Sequence, residues 1–259
     1  MRKKIFVSAL LVVVAAIVAI WFFLFRDDAP PPPDAQSAAA VAEAAQTTTT
    51  VPSTTSGDSA TTTQAVATTT EAETGIEGSW VVDTAIGSFE DFSSTYVGFR
   101  IEEELAQGIG KTTAVGRTPV VSGTLEFSSS ELLRAEIIAD LSQITTDRSW
   151  RDDNVYDALD AGNHPNAVFS LVGPITLDDP ETEGIEHPIS ATGELTIKGV
   201  TQEVSVELTA QRIGQIITVT GQFPMVFSDF GVEVPTAPIV LSVEDNGLIE
   251  VQLFLTPAS

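Results

Sequence analysis

The sequence predicts an all-β domain, either a β-sandwich or a closed antiparallel barrel, preceded by one transmembrane helix and a disordered linker. Three observations support this prediction: an apolar run over 5–25, a Thr- and Ala-rich stretch after it, and alternating apolar and polar residues through most of the remainder. The predicted parts are a cytoplasmic basic tail (1–4), the helix (5–25), the linker (26–75) and the β domain (76–259).

The N-terminal apolar segment is long enough to span a bilayer. Residues 5–25 contain one polar side chain, Ser8, and a helix of this length rises ~30 Å, the thickness of a bilayer core. Arg2, Lys3 and Lys4 precede it and should remain in the cytoplasm. A cleaved signal peptide is the alternative, but its apolar region is usually only ~7–15 residues long. We therefore expect a single-pass protein of the cell membrane whose C-terminal domain is extracytoplasmic.

Residues 26–75 have the composition of a disordered linker. Four prolines occupy 30–33, and Thr clusters follow with almost no large apolar side chain, so the segment cannot bury enough surface to fold. Two interpretations stay open, a stalk that carries O-linked sugars and a plain spacer. Within this segment, AAAVAEAAQ at 38–46 has the composition of a short helix.

The C-terminal domain consists almost throughout of predicted strands. Leu195 and Ile197 alternate with Glu194 and Thr196, and this two-residue period of half-buried strands recurs along the domain. KGVTQ at 198–202 is typical of a hairpin turn. The predicted strands are 79–85, 96–104, 120–127, 132–141, 167–172, 189–197, 202–212, 216–223 and 248–255.

One segment interrupts the strands. Ser149 and Asp152 have the spacing of a capping box, Val155 and Leu159 can share a helical face, and Gly162 ends the pattern. We predict a short helix over 150–159, which either covers the core or plugs the mouth of a barrel.

The composition argues against several functions. With 12 basic and 36 acidic side chains the net charge is −24, which opposes binding to nucleic acid or to an anionic membrane surface. The chain has no cysteine, so disulfides and cysteine chemistry are excluded. His164 and His187 each precede a proline and are predicted to be solvated loop residues. Since no catalytic or nucleotide-binding motif occurs, we expect no enzyme activity, no metal and no cofactor.

Several segments resemble the YceI-like, polyisoprenoid-binding family. GELTIKGVTQEVSVEL at 193–208 is similar to the family's G-x-L-T-x-x-G-V-T hairpin, and SWVVDTA, RDDNVYDALDAGNHPNAVFS and FPMVFSDFGVEVP occur in the family's order. The longer early region at 87–119 resembles a branch that we expect to be actinobacterial. Early histidines common in the family are absent, and 84–87 and 101–104 stand nearby instead.

The resemblance implies an extended lipocalin-like antiparallel β-barrel of about eight strands, with the short helix inserted. It also implies that the lumen holds a long-chain isoprenoid, of quinone or polyprenyl type, for storage, shielding or transport beside the membrane. Burial of an apolar chain is favourable and needs no catalyst. Two alternatives stay open: a packed barrel without ligand that acts as a surface or stress-related protein-interaction domain, and an enzyme acting on lipids.

Strand alternation selects candidate binding residues within this barrel. The side chains predicted to line the lumen are Phe99, Ile101, Leu125, Phe127, Ile137, Leu141, Phe169, Leu195, Ile197, Val204, Val206, Phe223, Phe227 and Leu253. Those predicted to lie nearer the mouth are Phe89, Phe92, Trp150, Val155, Leu159 and Phe230. Arg148 and Arg151 can meet a pyrophosphate or quinone head group, or they can pair with Asp147 and Asp152.

Overall fold

The computed structural model describes residues 29–49, 75–105, 110–234 and 240–258. The helices are α1 (Ala35–Thr49) and α2 (Asp152–Ala158). The strands are β1 (Gly78–Asp83), β2 (Tyr96–Leu105), β3 (Gly110–Thr118), β4 (Val121–Phe127), β5 (Glu131–Asp140), β6 (Thr145–Thr146), β7 (Asn166–Leu171), β8 (Ile175–Thr176), β9 (Glu186–Ile197), β10 (Val200–Ile213), β11 (Ile216–Val226), β12 (Val240–Val243) and β13 (Asn246–Pro257). The predicted membrane segment, 5–25, lies outside the described residues. Within the described ranges no helix is long and apolar enough to cross a bilayer.

Eight antiparallel strands close into a barrel. Their order around the wall is β1-β4-β5-β7-β9-β10-β11-β13, and pairing of β1 with β13 completes the ring. The longest ladder joins β9 to β10 across the hairpin at 198–199, from Ile197 opposite Val200 to Glu186 opposite Gln211. Apolar side chains alternate inward along these strands because one face of each is buried. The barrel prediction is confirmed, and the β-sandwich alternative is wrong.

Strands β2, β3 and β6 continue the same sheet beyond the closed ring. Strand β13 pairs with β1 through Phe254–Pro257 but with β2 through 248–252, and β2 continues the sheet into β3 and β6. Strand β3 was not predicted, because GKTTAVGRT has only Ala114 and Val115 as apolar residues and shows no alternation. The short strands β6, β8 and β12 were also not predicted from the sequence.

Helix α2 forms where a helix was predicted, although its start differs. A 3-10 turn occupies Ser149–Arg151, and the α-helix proper begins at Asp152. The predicted capping box does not form. Instead, one carboxylate oxygen of Asp152 accepts hydrogen bonds from the backbone N–H (2.8 Å) and the hydroxyl (2.6 Å) of Thr146. Asp152 therefore ties the start of the helix to β6.

Helix α1 packs on the outside of the barrel. Asp34 caps it by accepting the backbone N–H of Ser37 (2.9 Å), and this hydrogen bond lowers the pKa of the Asp34 carboxyl. Ala38 and Ala42 are buried against Ile216 and Phe254. The segment was predicted to be a disordered linker with a short helix at 38–46; residues 35–49 are helical and docked, because small alanine side chains let the helix approach the sheet closely.

Candidate functional site

The barrel encloses one large apolar cavity. Its volume is about 400 Å³, within the range of ~300–1,000 Å³ typical of small-molecule sites. Inward-facing residues of β4, β5, β7, β9, β10, β11 and β13 form its wall, as the two-residue period of each strand requires. An apolar void of this size is suited to an apolar guest, since water inside it would find few hydrogen-bond partners.

Most of the residues predicted to line the lumen surround a cavity. The large cavity is lined by eight of them: Leu125, Phe127, Ile137, Phe169, Leu195, Val206, Phe223 and Leu253. Phe99, Ile101 and Phe227 line a smaller cavity instead. Leu141, Ile197 and Val204 belong to the packed core and line neither cavity. Alternation thus identified the inward face of each strand, but not where along the strand the interior is hollow.

The smaller cavity, of about 80 Å³, lies under helix α2 at the opposite end from the β9 N-terminus. Trp150, Val155 and Leu159, predicted to lie near the mouth, line it. The rings of Phe99 and Phe227 meet edge to face, with centroids 6.4 Å apart, and both line the smaller cavity but not the large one. Phe99 on β2 lies opposite Ile249 on β13, which lines the large cavity, so the two cavities lie close together here.

Arg151 is buried in an ion-pair cluster beside the smaller cavity. Its side chain is 6% exposed, donates to both carboxylate oxygens of Asp147 (3.1 Å each) and contacts Glu103. Arg148 lies 3.9 Å from Asp147 and lines neither cavity. Both arginines therefore pair with Asp147 as predicted, whereas one oxygen of the Asp152 carboxylate bonds to Thr146.

Three other residues predicted near the mouth lie elsewhere. Phe89 and Phe92 pack edge to face, 5.4 Å between centroids, on the outer wall. Phe92 there covers the guanidinium of Arg117, at 4.6 Å. Phe230 is buried in the core beside the 3-10 turn Phe227–Phe230. These aromatic residues stabilise the wall and the core rather than line a cavity.

One end of the large cavity is polar, which was not predicted from the sequence. His187 and Arg212 line the cavity there, together with strand β8 and residues of the loop after it up to Pro180. The prediction that His187 is a solvated loop residue is wrong, because β9 begins at Glu186 and includes His187 and Pro188. Its place opposite Ala210 on β10 could have been found by extending the alternation of Ala191 and Ile189 two residues further back.

Comparisons with known proteins agree with this architecture. The model of the YceI-like domain family matches residues 80–255. A polyisoprenoid binding domain from Saccharophagus degradans implicated in plant cell wall breakdown is 14% identical, with a TM-score of 0.52 over 70% of this chain and 100% of that chain. At that identity the likeness concerns the fold alone.

Two further structures are similar at lower TM-scores. Burkholderia cenocepacia BcnA is 22% identical, with a TM-score of 0.48 over 67% of this chain and 98% of that chain. The Campylobacter jejuni YCEI protein is 19% identical, with a TM-score of 0.44 over 56% and 85%. No curated protein sequence matches the chain.

Proposed function

The chain belongs to the YceI-like domain family, and we propose that its barrel binds one long-chain isoprenoid lipid, of quinone or polyprenyl type. The apolar cavity of about 400 Å³ is the observation that carries this proposal. Each methylene group that leaves water for such a cavity contributes about 0.8 kcal/mol. The fold shared with a structure named as a polyisoprenoid binding domain supports the same ligand class. The role is storage, shielding or transport, without chemistry.

The proposal places the domain outside the cytoplasm, held to the cell membrane by residues 5–25. The apolar run and the basic residues before it support this anchor. Proline carbonyls at 30 and 31 accept hydrogen bonds from Arg100 and Arg117 on the barrel wall. A fully extended chain from residue 25 to residue 30 spans at most about 18 Å. The anchor therefore keeps the barrel wall next to the bilayer, where a lipid can be exchanged.

A single-cysteine experiment tests this orientation. The natural chain has no cysteine, so Ser129→Cys, in an exposed turn, provides one site. A membrane-impermeant maleimide should label it in intact cells, whereas Lys4→Cys should be labelled only after permeabilisation. Labelling of Ser129→Cys only in permeabilised cells would contradict the proposed location.

The packed-barrel alternative predicts an interior filled by side chains. A cavity of this size argues against it, because protein interiors are normally close-packed with few voids larger than a water molecule.

A cavity-filling variant tests the ligand proposal. Ala191 lines the large cavity and Thr192 faces outward on the same strand. Ala191→Phe should reduce the uptake of a radiolabelled C20 isoprenoid from phosphatidylcholine vesicles at least about tenfold, since the ring occupies the ligand's space. Thr192→Phe adds the same ring to the outer face and should bind as the natural chain does. Equal uptake by both variants would contradict the proposal.

A further inference from the structure

One end of the large cavity differs chemically from the rest. Most of the lining is aliphatic or aromatic, and its polar residues come from β8, the loop after it, the first half of β9 and the end of β10. These polar residues are Thr176, Asp178, His187, Ser190, Gln211 and Arg212. A lipid with one polar terminus would therefore meet a polar wall at only one end of this cavity.

His187 carries an unused hydrogen-bonding atom at this end. Its Nε2 is shut off from solvent and has no hydrogen-bond partner within the described part of the chain. Position 187 pairs with Ala210, which also lines the cavity, so both side chains lie on the inner face of the wall. Buried polar atoms in folded proteins are nearly always paired, and an unpaired one needs an explanation. A ligand atom that bonds to Nε2 supplies that explanation.

The charge around this end selects against an anionic ligand. Among the described residues, Arg212 is the only arginine or lysine that lines the cavity, and its guanidinium already pairs with Glu181 (2.9 Å) and Glu183 (3.8 Å), which lie outside the lining. Its Nε also donates to the carbonyl of Gly214 (3.1 Å). Together with Asp178 of the lining, these two glutamates make three carboxylates to one arginine at this end. A phosphate or diphosphate would meet like charge here, which costs affinity.

We propose that His187 holds the polar terminus of the lipid, and that this terminus is an uncharged oxygen, a hydroxyl or a carbonyl group. This inference rests on the proposed function and narrows it to neutral isoprenoids. The imidazole Nε2 donates to the ligand oxygen in one tautomer, and in the other it accepts from a hydroxyl. The apolar tail then extends along the cavity towards Phe223 and Leu195.

The test compares three C20 probes on the full-length chain: an isoprenoid alcohol, its diphosphate and the hydrocarbon without a head group. The natural chain should bind the alcohol about three- to tenfold more tightly than the hydrocarbon, the range expected for one net hydrogen bond. The diphosphate should bind at least about tenfold more weakly than the alcohol. A diphosphate that binds as tightly as the alcohol would overturn the proposal.

His187→Leu provides the matching variant. It should lower the affinity for the alcohol to that for the hydrocarbon and leave the hydrocarbon's affinity unchanged. His164→Leu, at the other end of the barrel, should alter neither. Equal losses for both probes in His187→Leu would overturn the head-group site while leaving the proposed function intact. Failure of all three probes to bind the natural chain would refute the proposed function itself.

A measurement on the unaltered chain covers the case in which His187→Leu does not fold. In nitrogen-15 NMR spectra, the His187 Nε2 resonance should shift on addition of the alcohol and stay in place on addition of the hydrocarbon. A resonance that responds alike to both probes would contradict the proposal.

Discussion

At the scale of single residues, Phe99 and Phe227 border the smaller cavity. Two glycines leave space for these rings. A Cβ at Gly116 would lie 2.5 Å from the Phe99 ring, and one at Gly247 would lie 2.9 Å from the Phe227 ring. Phe99 also lies opposite Ile249, which lines the large cavity, so the cavities of about 400 and 80 Å³ lie close together at this position.

We predict that removing one of these two rings opens the smaller cavity to the large one. Phe227→Ala is expected to shift the bound isoprenoids towards longer chains, measured by mass spectrometry of lipid extracts, and to lower the free energy of unfolding by about 3–5 kcal/mol. Phe230→Ala removes a buried ring that lines neither cavity and should destabilise the fold without changing the lipid length. An unchanged length distribution in Phe227→Ala would show that the pair is no barrier.

Deprotonation of Tyr96 should lower the stability of the barrel at alkaline pH. Burial raises the pKa of its phenol to about 12, with the Glu250 charge adding to the rise and the Arg117 charge opposing it. The folded chain thus holds this proton more tightly than the unfolded chain, whose tyrosine pKa lies near 10. The stability that this proton contributes is complete below pH ~10 and is lost as the pH rises through ~12.

Denaturant unfolding across this pH range tests the Tyr96 prediction. The free energy of unfolding should fall between pH ~10 and ~12, and the fall should be smaller in Tyr96→Phe. Parallel pH profiles for the two proteins would contradict the assignment.

At the scale of elements, the prolines before α1 contact a buried polar cluster, because the carbonyls at 30 and 31 accept hydrogen bonds from Arg100 and Arg117. Glu250 on β13 is fully buried and accepts from Arg117 Nε (2.8 Å), Arg100 Nε (2.8 Å) and Gln222 (3.0 Å). Arg117 is 1% exposed and stacks over the ring of Tyr96 at 4.3 Å. The cluster joins β2, β3, β11 and β13, so it fixes β2 and β3 to the strand that closes the barrel.

Breaking this cluster should weaken the fold strongly. Arg117→Met leaves Glu250 with one arginine instead of two in a site without water, and should lower the free energy of unfolding by about 3–5 kcal/mol. Arg134→Met removes an arginine whose side chain is 80% exposed and should change it by less than about 0.5 kcal/mol. A loss below about 1 kcal/mol in Arg117→Met, measured by denaturant unfolding, would contradict this role.

At the scale of the whole molecule, the sequence could predict the barrel because the two-residue period is a local signal. Leu195 and Val206 were assigned to the lumen from their strands alone, and both line the cavity. The contact between the Phe99 and Phe227 rings could not be predicted, because whether two inward rings meet depends on strand register and on distant glycines. The packing of α1 on the barrel could not be predicted from the local sequence either. Most of the side chains that make its contacts are alanines, and because alanine also occurs on other faces of the helix, the sequence does not show which face is buried.

The wrong prediction for His187 has the same cause, namely a tertiary contact that the local sequence does not show. A proline directly after it is typical of a turn, yet β9 continues through both residues because the ladder with β10 extends to Glu186. The assignment to an actinobacterial branch stays a prediction. What the family resemblance and the structure share is an apolar interior, and that interior is the basis of the proposed function.

Organic extraction of the full-length chain, purified without added lipid, tests the central claim most directly. Mass spectrometry should detect a neutral long-chain isoprenoid at about one molecule per chain, and Ala191→Phe purified in parallel should carry far less. A chain that is empty on extraction, and that also takes up no isoprenoid when one is supplied, would contradict the account.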